Sequence, residues 1–119
     1  MDKNDSFKIM KNTKELVFNV SEFSHNFPKS ETILKNNLQT ELFNLVKLLN
    51  SYIVNRSSSR IKEKYIKEFI ISLSMIDFYF EYLYLNKIIS FKKYKSLVDE
   101  VITIRKLAYG VLKNEKESS

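Results

Sequence analysis

"IKEFIISLSMIDFYFEYLYL", residues 66–85, decides the fold. Ile66, Phe69, Leu73, Ile76, Phe80 and Leu83 recur at alternating steps of three and four, which aligns them on one stripe of an α-helix. Ile71, Met75, Phe78, Tyr82 and Leu85 repeat that spacing displaced by two residues, and at about 100° per residue they occupy nearly the opposite face. One stripe can face the interior of the chain's own fold. The second needs another cover, either a further part of the chain or a second copy. The connections on either side look too short to fold over it, so the expectation is a homo-oligomer with these five residues at the interface.

Working outward, three more segments carry helical periodicity. The first starts at Asn12 or Thr13, either of which can cap a helix, aligns Leu16, Val20, Phe23 and Phe27, and stops at Pro28. In the second, Ser30 is the candidate cap and Leu34, Leu38, Leu42, Leu45, Leu49 and Tyr52 form the seam, up to the turn "NRSSSR" at 55–60. The last follows Ser90, also a candidate cap, and aligns Tyr94, Leu97, Val101, Ile104, Ala108 and Val111. Short connections make sequential helices antiparallel neighbours. The expected fold is therefore all-α: an up-down-up-down antiparallel four-helix bundle over residues 12–113, with a flexible segment at 1–11 and a disordered polar tail at 114–119.

Composition agrees with one such domain. The 119 residues are 44% hydrophobic, enough for a core without a metal or disulfide, and one Gly and one Pro leave nothing for hairpins or a Gly-rich phosphate loop. Absence of Cys excludes a disulfide framework and a Cys-ligated zinc site and fits a reducing cytoplasm. The start, "MDKNDSFK", is too polar for a signal peptide, and the longest charge-free apolar stretch, "FIISLSMI" at 69–76, falls far short of the roughly 18 residues that span a membrane.

Catalytic patterns are missing. His25 has no Cys, no second His and no upstream Arg, which argues against a metal site, a Ser-His nucleophile and the Arg-to-His spacing of small helical nucleases. Asp77 and Glu81 stand one turn apart with no basic or nucleophilic neighbour on their helix face and read as solvated charges. The expectation is a protein that is not an enzyme and has no cofactor, metal or small-molecule substrate.

Charge gives the more positive indication. Twenty basic against fourteen acidic residues leave a net +6, with a pI near 9.4. The up-down topology gathers Arg56, Arg60, Lys62, Lys64 and Lys67 with Lys8, Lys11, Lys14, Arg105, Lys106 and Lys113 at one end. Lys29, Lys35, Lys87, Lys92, Lys93 and Lys95 go to the other. Segregated cations neutralise successive phosphates and release counterions, giving salt-sensitive, sequence-independent binding to RNA or DNA; an ordinary solvated rim is the alternative. One bundle end is small, so an oligomer that repeats it would supply the avidity.

Four stretches also resemble one family: "NFPKSE" at 26–31, "LQTELFNLVKLL" at 38–49, "LNKIISFKKYKSLVDEV" at 85–101 and "IRKLAYGVLK" at 104–113. They are similar to the accessory variability determinant (Avd) of diversity-generating retroelements, in a wider group that includes ribosomal-RNA intervening-sequence proteins. Arg105, Tyr109 and Val111 stand where the family pattern has Gly, Gly and Trp. Gly110 keeps one glycine, and reads as a helix C-terminal cap or a close helix contact. The intervening-sequence branch carries an Asn-Ile-Ala-Glu-Gly segment that "NLVKLLNSYIV" at 44–54 lacks, which favours the Avd branch. The resemblance implies a pentameric barrel of four-helix bundles, nucleic-acid binding through basic surface, and association with a reverse transcriptase. Its role would be that of a non-catalytic accessory subunit supporting mutagenic cDNA synthesis on template RNA. An intervening-sequence protein with an RNA role and a plain protein-interaction module are the alternatives.

Overall fold

The computed structural model describes residues 3–55 and 58–118. Four α-helices account for nearly all of them: α1 (Lys3–Phe23), α2 (Thr32–Val54), α3 (Ser59–Leu85) and α4 (Phe91–Ser118). They pack side by side into a rod measuring 46 × 23 × 19 Å. Each helix contacts its neighbours in the cyclic order α1, α2, α3, α4.

Side-chain contacts fix the directions. Lys93 near the start of α4 reaches Asn19 and lies over the Phe23 ring at the end of α1, so these two helices run antiparallel. At the opposite end, Tyr52 of α2 donates to Glu115 of α4 at 2.6 Å, and Lys62 of α3 lies 5.1 Å from the centre of the same Tyr52 ring. The start of α1, the end of α2, the start of α3 and the end of α4 thus share one end.

The expected seams face inward. Leu16 and Val20 of α1, the α2 positions from Leu38 to Tyr52, all six positions of the first α3 stripe, and Leu97 through Val111 on α4 are buried. Phe23, Phe27, Leu34 and Tyr94 close the core from its edges, partly buried. Full burial of side chains such as Phe69 and Phe80 contributes roughly 2 kcal/mol each relative to exposure, which is why the stripe dictates the packing.

The helix ends depart from expectation. α1 begins at Lys3, because Ile9 continues the Leu16–Val20 row and is itself buried. Thr13 is therefore an interior helical residue and caps nothing. At the second joint, Ser30 lies within a short 3-10 turn, Lys29–Glu31, and α2 begins at Thr32 without a side-chain cap. The α4 helix runs on to Ser118 through the stretch expected as a polar tail, where Glu115 is buried by its bond to Tyr52.

Two caps conform to their residue chemistry. Ser58 accepts from the Ile61 amide at 3.2 Å to start α3, and Ser90 accepts from the Lys93 amide at 3.1 Å to start α4. The α3 C-terminus closes with the Lys87 amide bonded to the Tyr84 carbonyl and the Ile88 amide to the Leu83 carbonyl. Lys87 sits at φ 60° in that left-handed closure, where glycine is the usual occupant.

Candidate nucleic-acid interface

The start of α3 carries a cluster of cations. Arg60, Lys64 and Lys67 are exposed. Their spacing of four and three residues places them on one outward line. They edge a shallow depression of about 530 Å³ shared with Ile61, Glu63 and Glu68. Lys67 pairs with Glu63 at 3.0 Å and Lys64 with Glu68 at 4.0 Å, each one turn apart along α3, with both lysines more than half exposed. Pairs at this spacing on a helix surface are worth only about 0.3–0.5 kcal/mol, so neither acid holds its lysine strongly.

The remaining expected contacts divide. Arg56 lies outside the described residues. Lys62 leans over the Tyr52 ring, so its charge is at the end of the bundle but its position is fixed by packing. Lys106 and Lys113 are exposed on the outward face of α4, with Lys113 two residues from the Glu115 contact that marks the basic end. Arg105 departs from the expected rim. Its guanidinium pairs with Asp77 at 3.3 Å, about two-thirds of the way along α3 from its basic start, and both side chains are about one-third exposed. The pairing also gives Asp77 a partner from α4 that its own helix does not supply, so it is not a free solvated charge.

One residue of this surface was overlooked in the sequence. Tyr109, 54% exposed, stands between Lys106 and Lys113 at steps of three and four on the same face of α4. An aromatic ring between two cations is the combination on which bases of a single strand stack while the phosphates are neutralised. The spacing was available in the sequence, but the apolar rows that place the helices do not single out an aromatic ring on the outward face.

The outward line of α3 changes character along its length. Beyond Lys67 it continues as Ile71, Met75, Phe78, Tyr82 and Leu85, and all five are exposed in the single chain. No part of the described chain folds over them. The basic line and the apolar seam are thus one continuous face of one helix.

The opposite α1–α4 edge is polar. Asn19 donates to Glu100 at 3.1 Å. Burial raises the Glu100 carboxyl above its ordinary value, while the Asn19 bond and Lys93 act to lower it and Glu15 to raise it. Among the described residues no group of three or more His, Asp or Glu could hold a metal ion, and no helix is long and apolar enough to cross a membrane. Comparison with known protein families, curated proteins and solved structures finds no match to this chain.

Proposed function

We propose that this chain is a non-catalytic, nucleic-acid-binding helical bundle that assembles with copies of itself and serves as an accessory subunit to a reverse transcriptase in mutagenic cDNA synthesis. One observation supports the nucleic-acid part most directly: Arg60, Lys64 and Lys67 share one exposed line that leads straight into an uncovered apolar seam. Copies joined through that seam would repeat the cations around the assembly, and repetition supplies the avidity that three side chains lack. Contacts to phosphate carry no sequence information, so the template RNA would be held by its backbone, with Tyr109 adding base stacking without base choice. The reverse-transcriptase part rests on the resemblance of the four quoted stretches to Avd proteins, whose barrel is pentameric.

The test compares two triple variants by fluorescence anisotropy on two unrelated single-stranded RNAs between 50 and 200 mM salt. Arg60→Gln, Lys64→Gln and Lys67→Gln together should weaken both RNAs alike and reduce the salt slope by about one unit per lost contact. Lys87→Gln, Lys92→Gln and Lys95→Gln remove the same charge from the other end and should have the smaller effect. Equal effects of the two variants would reduce the α3 line to a solvated rim. Failure of the wild-type chain to co-purify with a reverse transcriptase expressed from the same locus would remove the accessory role.

A further inference from the structure

The α3 seam is accompanied by another uncovered apolar surface among the described residues. The other is a groove of about 790 Å³ between α1 and α2, floored by Val17 and Val46 and walled by Phe18, Phe43 and Val54. Phe18 is 70% exposed, Phe43 59% and Val54 73%. On a monomer such a surface is a site for a partner.

The two surfaces differ in the way that ridge and furrow differ. The seam is a single row with steps of four, three, four and three, the spacing with which one helix inserts into a depression between others. The groove lies between two helices and is open to solvent along its length. Fourteen residue steps from Ile71 to Leu85 give the seam about 21 Å, and eleven from Phe43 to Val54 give the groove about 17 Å. Beside their apolar parts the two surfaces carry different charges. Lys14 and Lys47 line the groove, while Glu68 and Glu81 flank the seam.

We infer that the outward seam of α3 in one copy docks into the α1–α2 groove of a second copy, joining the copies head to tail. The inference rests on the self-association in the reading above and names the faces that make it; it does not depend on nucleic acid. A two-fold pairing of α3 with α3 would bury the seam but leave Phe18, Phe43 and Val54 in water. Head-to-tail contact covers both faces of each interior copy. The acids beside the seam face the lysines beside the groove in that pairing, which favours its register rather than its strength.

Complementation tests it. Phe43→Asp spoils the groove and Phe78→Asp spoils the seam, and because both rings are exposed in the single chain, circular dichroism should report unchanged helicity. By light scattering each variant alone should be a monomer of 14.2 kDa. Mixed in equal amounts they should form a one-to-one heterodimer of twice that mass and stop there, since Phe43→Asp keeps its seam and Phe78→Asp keeps its groove. Phe18→Asp is the second groove variant and should behave as Phe43→Asp does. A mixture that stays monomeric overturns the inference, as does a Phe43→Asp or Phe18→Asp variant that assembles like the wild type, which is the signature of α3 pairing with α3. Loss of RNA binding with wild-type assembly intact would instead overturn the nucleic-acid reading and leave this pairing standing.

Discussion

Thr13 is fully buried, and its hydroxyl has no hydrogen-bond partner among the described residues. A buried hydroxyl without a partner costs about 1–3 kcal/mol, and valine has nearly the same shape without the oxygen. Thr13→Val should therefore raise stability by about 1 kcal/mol, read as a higher urea midpoint with an unchanged slope. This residue also marks where reading from sequence alone stops. A threonine ahead of an apolar row looks like a cap, and only the burial of Ile9 one turn earlier places it inside the helix. Glu115 poses the same difficulty in reverse, because a glutamate in a polar stretch reads as solvated until Tyr52 is known to reach it from another helix. Asp77 and Arg105 are no different: their pairing depends on which rows of α3 and α4 meet.

At the scale of the element, periodicity carried nearly all the information. Rows with steps of three and four fix which face is buried whatever the partner is, so the seams of all four helices were legible from spacing alone. Helix ends were less so, because they depend on one or two residues whose side chains serve equally well in caps and in turns. Gly110 is the plainest example. It sits within α4, exposed, and a Cβ built there would meet nothing within 4 Å, so it neither caps the helix nor permits a close helix contact. Its remaining effect is entropic. Gly110→Ala should stabilise the bundle by about 0.5–1 kcal/mol, measurable as a rise in Tm of several degrees. Because Gly110 adjoins Tyr109 and lies between Lys106 and Lys113, the same substitution should leave RNA affinity unchanged or slightly higher.

For the whole molecule, the expectation of a four-helix all-α fold agrees with the observed helices, while assembly and partners remain the proposals made above. The rod presents cations at both ends and two apolar faces along its sides, and the first two turns of α3 lie in direct line with the seam. This last arrangement has a thermodynamic consequence. Copies drawn together through the seam bring Arg60, Lys64 and Lys67 of each toward the Lys14 and Lys47 edge of the next, and every copy carries a net +6. Like charge opposes that approach, and a Debye length of about 10 Å at 0.1 M salt leaves the repulsion partly unscreened. Added salt should therefore strengthen self-association while it weakens RNA binding, two dependences of opposite sign in one chain. By reciprocity of linked equilibria, a polyanion lying along the repeated cations lowers the same repulsion and promotes assembly as strongly as assembly promotes its binding. Sedimentation at 50 and 300 mM salt, with and without a short single-stranded RNA, should give the larger species at high salt when RNA is absent and at low salt when it is present. Assembly that weakens with salt when RNA is absent would mean that the contacts between Lys14, Lys47 and the acids beside the seam outweigh the repulsion, so that a polyanion has no repulsion to relieve.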